Sequence, residues 1–110
     1  MKSSIFAQQF ILIMLSKTEC IEKLKGFKTA RSGFYGIKRI GLFGSVARGE
    51  QQEGSDVDII YEGEPNLLLR ISLKEELEHL FGCKVDVIRM NTQIKASAFG
   101  KTIKKDFIYV

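Results

Sequence analysis

Ser55-Asp56-Val57-Asp58-Ile59-Ile60 is the stretch from which the architecture of this chain can be worked out. Side chains alternate between the two faces of a strand, so Asp56 and Asp58 project side by side while Val57 and Ile59 project to the other face. Adjacent carboxylates repel and cost stability in a sheet. An exposed strand face is the plainer explanation, but the strongly apolar flanks speak against it. A bound divalent cation is the usual remedy, since hard cations take oxygen ligands and bridge to substrate phosphates.

Upstream stands Gly41-Leu42-Phe43-Gly44-Ser45-Val46-Ala47-Arg48-Gly49. Glycines at a strand-to-helix junction let backbone N–H groups approach an anion closely. Two familiar phosphate loops are excluded: Gly49 is followed by Glu50 and Gln51 rather than Lys-Ser/Thr, and glycines at 41, 44 and 49 do not make G-x-G-x-x-G. A purely structural turn would also use glycine, so this segment alone is not decisive. Downstream, Lys84-Val85-Asp86-Val87-Ile88 sets a single acid in another apolar strand. Placed beside the Asp56/Asp58 strand, Asp86 completes a triad. Three carboxylates can hold two metal ions about 4 Å apart, the arrangement that serves in-line phosphoryl or nucleotidyl transfer. Asp86 could also help to deprotonate an attacking hydroxyl.

The surrounding pattern is a helix followed by three strands separated by helices. Ser16-Lys17-Thr18-Glu19 reads as a capping box. The helix it opens carries Cys20, Ile21, Leu24 and Phe27 at helical spacing and is expected to end before Gly33, with 32–36 a loop. Strands are expected at 37–43, 56–61 and 84–90, with a short helix beginning at 45–48 and an exposed polar loop at 49–54. The segment 67–81 is an amphipathic helix with Leu69, Leu73, Leu77 and Leu80 on one face and Gly82 as its C-cap. Asn91 or Thr92 is expected to cap a last helix, about 93–104, before an extended 107–110. This order predicts an α/β (α+β) domain with helices packed on a small sheet.

Taken together, Gly44-Ser45-Val46-Ala47-Arg48-Gly49, Ser55-Asp56-Val57-Asp58 and Val85-Asp86-Val87 resemble the minimal nucleotidyltransferases of the DNA polymerase beta superfamily. The resemblance covers 16–110, and the combined motif is specific to that superfamily. It implies a nucleotidyltransferase fold, a small mixed sheet with helices mainly on one side, over 16–110, leaving 1–15 as an N-terminal extension. By position it implies that Gly44 and Ser45 bind the triphosphate, with Arg48 near the phosphates. Asp56, Asp58 and Asp86 become the catalytic, metal-binding carboxylates, with two magnesium ions (or manganese) as cofactors and ATP as donor. Many stand-alone members resemble antitoxins paired with a HEPN-type toxin, in which AMP is attached to a toxin tyrosine. The expected activity is therefore protein adenylyl transfer within a toxin–antitoxin pair. The alternatives are an antitoxin acting by occlusion alone and a transferase acting on RNA or a small molecule.

Composition sets the remaining bounds. The chain has 110 residues, enough for one domain. Apolar residues make up 45% and charged residues 27%, which places it among globular rather than disordered chains. A net charge of +4 permits nucleotide, nucleic-acid or acidic-protein partners without selecting among them. Nucleic acid is not otherwise indicated, and a homo-oligomer would suit so small a core. Cys20 and Cys83 lack zinc-site spacing and read as free thiols in a reducing, cytoplasmic setting. The apolar-leaning run from Ile5 to Leu15 is too short to span a bilayer and is followed by Ser16-Lys17-Thr18-Glu19 rather than a cleavage site. No membrane association is expected, and both Met1 and Met14 are compatible with the natural start. His79 reads as a surface residue, and Tyr35, Tyr61 and Tyr109 read as packing residues.

Overall fold

A computed structural model describes residues 16–52 and 56–110. The N-terminal extension, with its apolar run and Met14, lies outside the described residues, as does Ser55. The first helix, α1 (Lys17–Tyr35), opens with the expected capping box: Glu19 N–H donates to Ser16 Oγ at 3.1 Å, and Ser16 N–H donates to Glu19 Oε1 at 3.4 Å. Its end corrects the sequence expectation. The helix passes through Gly33 and stops at Gly36, whose φ of 64° is the left-handed conformation that glycine adopts freely. Tertiary contacts outweigh the low helix propensity of Gly33. Tyr35 is buried and its hydroxyl donates to Glu76 Oε1 at 2.9 Å, while Arg31 donates to both Glu76 oxygens at 2.9 and 3.0 Å.

The next elements are β1 (Ile37–Phe43), α2 (Gly44–Ala47), β2 (Val57–Gly63), α3 (Leu67–Phe81), β3 (Val85–Arg89), α4 (Thr92–Ala96), α5 (Ala98–Lys104) and β4 (Ile108–Tyr109). The four strands form one mixed sheet in the order β3-β2-β1-β4. β1 pairs antiparallel with β2 and β4, and β2 pairs parallel with β3. A parallel pair needs a crossover, and α3 supplies it. Asn66 caps α3 by accepting from Leu69 N–H at 3.1 Å, and Gly82 ends it.

Two further expectations need adjustment. Asp56 precedes β2 rather than opening it, so it is exposed and outside the ladder. The single C-terminal helix is two, α4 and α5. Ser97 breaks it with an extended backbone, donating from Oγ to Ile94 O at 2.6 Å and accepting from Gly100 N–H at 3.0 Å. A serine that caps the following turn competes with helix continuation.

The larger core lies between one sheet face and the long helices α1 and α3. Leu24, Leu42, Ile59, Leu73, Leu77 and Phe81 are all fully or almost fully buried there. Leu69 and Leu80 pack at its margin, as the leucine stripe predicts. A smaller cluster of Phe43, Ile60, Met90 and Ile103 covers part of the other face, with help from Ile94 of α4 and Phe107. The main helices thus share one side, and the other side is left partly open. Among the described residues, no helix is long and apolar enough to cross a membrane.

Candidate active site

The open part of the second face is where the acids stand. Val57, Ile59, Tyr61 and Val85 feed the larger core, so their neighbours Asp58 and Asp86 turn to the opposite face with Ile60 and Ile88. The parallel register makes Asp58 and Asp86 direct partners across β2 and β3. Asp56 adds a third charge one residue ahead of β2. Its field and that of Asp86 both act on Asp58.

Asp58 is the most perturbed of the three. Burial first, then the charge of Asp86, then that of Asp56 push its carboxyl from the ordinary 3.8 up to about 6, with Arg48 opposing. Asp56 and Asp86 are exposed. Among the described residues, no group of three or more His, Cys, Asp or Glu side chains is drawn together tightly enough to hold a metal ion. The donor set still fits a hard divalent ion: three carboxylates, one of them crowded and half-buried, gain from a cation that offsets their repulsion. Asp58 and Asp86 could hold such an ion between the strands, with Asp56 at the open side.

The glycine-serine segment meets these acids directly. Gly44 has φ 72°, and a Cβ placed on it would collide with Oδ2 of Asp58. Only glycine allows the loop and the carboxylate to lie so close. The turn is closed by backbone bonds from Arg48 N–H to Gly44 O at 3.1 Å and from Glu50 N–H to Ser45 O at 2.8 Å. Phe43, at the N-cap of α2, makes no side-chain cap hydrogen bond. Gly44 and Ser45 are half-buried beside the acids, so a phosphate bound at the turn would sit within reach of the same cation.

Arg48 is placed differently from the other motif residues. It is exposed and donates from Nε to Glu50 Oε2 at 2.9 Å and from a terminal nitrogen to Asp106 Oδ2 at 2.8 Å. Its charge reaches Asp58, but two carboxylates brace its side chain. The Asp106 contact was not legible in the sequence, because 58 positions separate the partners and no local pattern links them. His79 is exposed, and both cysteines are free, Cys20 buried and Cys83 half-buried.

The chain is similar to known proteins over most of its length. A family model described as a nucleotidyltransferase domain matches residues 21–110. A Thermococcus cleftensis protein named protein adenylyltransferase MntA is 40% identical over 101 residues, covering 90% of this chain and all of that one. A Methanocaldococcus jannaschii protein, named as a candidate protein adenylyltransferase, is also 40% identical over 101 residues, covering 88% of this chain and all of its own. A solved structure described as a candidate minimal nucleotidyltransferase superposes with a TM-score of 0.66 at 27% identity, over 86% of this chain and 95% of that chain. A toxin–antitoxin structure with AMP-PNP shares the fold, with a TM-score of 0.52 at 24% identity over 69% of this chain and 60% of that chain.

Proposed function

We propose, on the premise that this chain belongs to the nucleotidyltransferase domain family, that it transfers AMP from ATP to a hydroxyl of a partner protein with the help of divalent cations. As a member of that family the chain is a nucleotidyltransferase enzyme. The observation that carries the finer reading is the junction of Gly44 with Asp58, which sets the glycine-serine turn against a carboxylate already paired in register with Asp86.

In this reading Gly44 and Ser45 hold the triphosphate through backbone N–H groups, and Arg48 contributes positive field from its braced position. Asp56, Asp58 and Asp86 hold the cations. Magnesium or manganese bound there would stabilise charge developing on the phosphoryl oxygens. The acceptor oxygen forms a bond to the α-phosphorus, the bond from that phosphorus to the bridging oxygen breaks, and pyrophosphate leaves. Asp86, open at the sheet margin, takes the hydroxyl proton.

The near-full-length identity to a protein named protein adenylyltransferase supports a protein acceptor. The family resemblance points further, to a tyrosine of a HEPN-type toxin, an antitoxin role and a cytoplasmic setting. The competing outcome is neutralisation by occlusion without transfer. The test is to mix the purified chain with labelled ATP, magnesium and the protein encoded beside it, with an Asp56→Asn, Asp58→Asn control. Label on the neighbour, absent in the control, supports transfer. Complex formation without label in either sample would leave occlusion in its place.

A further inference from the structure

α3 carries two stripes. Leu69, Leu73 and Leu77 turn to the core, while Leu67, Arg70, Ile71 and Lys74 repeat at helical spacing on an outer face. Leu67 is 62% exposed and Ile71 49%, and Leu68 beside them is 77% exposed. Among the described residues, neither Arg70 nor Lys74 has an ion-pair partner. This outer stripe runs along β3, the end strand of the sheet, whose outer edge no described strand covers.

Two adjoining hollows lie between the stripe and that edge. One, of about 280 Å³, is lined by Arg70, Ile71, Lys74, Asp86 and Val87. The other, of about 290 Å³, is lined by Tyr61, Pro65, Asn66, Leu67, Arg70 and Arg89. Arg70 belongs to both, so they form one groove that follows β3 from Arg89 to Asp86. Its charged lining is cationic except at Asp86, the end that meets the candidate active site.

We infer that this groove is the docking track for the acceptor protein, which lays an extended acidic and apolar segment along the outer edge of β3 and so brings its hydroxyl to Asp86. The inference rests on the transfer reading above for the role of Asp86. An uncovered edge offers unpaired backbone N–H and C=O groups, which an added strand satisfies. Ile71 and Leu67 offer apolar area to cover, and Arg70 and Lys74 offer charge that acidic side chains match. The sheet's alternation then specifies the segment. A residue opposite Asp86 stands on the same face as Asp86, away from α1 and α3. Its neighbours on either side point back over Ile71, Arg70 and Lys74. The acceptor hydroxyl is therefore flanked directly by apolar or acidic residues, in a stretch of about five residues, the length of β3.

The test uses the full chain and the protein encoded beside it. Ile71→Asp and the pair Arg70→Glu, Lys74→Glu are compared with wild type and with Asp58→Asn, after circular dichroism confirms folding. Complex formation is read by calorimetry, AMP transfer by label and nucleotide binding by ATP titration. The groove variants are expected to weaken the complex at least tenfold and to raise the acceptor KM, with ATP binding unchanged. Asp58→Asn is expected to keep the complex and lose transfer. Groove variants that bind and label like wild type would overturn the docking track while leaving the transfer reading intact. Loss of binding in the groove variants with no labelling by wild type would remove the transfer reading and overturn the delivery of a hydroxyl to Asp86, leaving the edge as a binding surface alone. A wild-type chain that self-associates, with only that association lost in the groove variants, would assign the edge to a second copy and overturn the inference.

Discussion

Asp58 of β2 lies against Gly44, the first residue of α2, so closely that no side chain fits between them. Gly44→Ala should therefore act twice: it strains a backbone at φ 72°, and it pushes on the Asp58 carboxylate. The strain alone costs about 1–2 kcal/mol. The expected result is a folded but less stable protein that has lost transfer activity. Chemical denaturation and the labelling assay measure the two effects, and an alanine variant with wild-type turnover would show that the junction does not matter for the site.

The raised pKa of Asp58 has a sign that can be checked. Its carboxyl titrates near 6 in the fold against 3.8 ordinarily. Folding then favours the protonated form, so this group's contribution is fully present below the unfolded value and is lost as pH rises through about 6. In a chelator, the wild-type melting temperature should carry a component that falls between about pH 4 and pH 6, and Asp58→Asn should remove that component. Added magnesium or manganese should restore stability at neutral pH in wild type and not in the variant.

The brace between α1 and α3 should respond to pH in the opposite direction. The Arg31 hydrogen bonds, aided by Tyr35, hold the Glu76 carboxyl below its usual range. Its contribution is present above the unfolded pKa and lost as pH falls. Glu76→Gln should lower the melting temperature at pH 7, with the gap to wild type closing in acid. Because the contact lies across the core from the acids, the transfer rate should stay near wild type.

Leu77 is completely buried at the centre of the larger core. Leu77→Ala should cost about 2–5 kcal/mol, a large part of the stability of a domain this small. Denaturant titration measures the loss, and a cost below about 1 kcal/mol would mean that the core collapses around the gap.

The legible and illegible parts of this molecule divide along physical lines. The leucine stripe of α3, the Ser16 capping box and the face of Asp58 follow from periods of 3.6 and 2 and from local hydrogen bonds, and each is where the sequence places it. The end of α1 lies beyond the one its local pattern predicts because the distant Glu76 overrides the signal of Gly33. The break at Ser97 has no local signature, since a serine inside a helical pattern caps the next turn only when the chain bends there. At the site, the sequence offers Asp86 as a third acid on the condition that its strand lies beside that of Asp58, which the parallel register meets, whereas the bracing of Arg48 by Asp106 depends on how the C-terminal segment packs.

The parallel pairing of β2 with β3 also governs when the site can exist. Asp58 and Asp86 meet only once the α3 crossover has closed, so the carboxylate pair is a non-local contact, of the kind that is slow to form. A ligand that binds only the paired carboxylates cannot recognise a fragment or a half-open chain. It must draw the whole population toward the native state, by about 2.7 kcal/mol at a hundredfold excess over its Kd. For a cation held by these acids, as proposed above, supply and the folded fraction would be linked by mass action, and depletion of the ion would lower the stability of the domain.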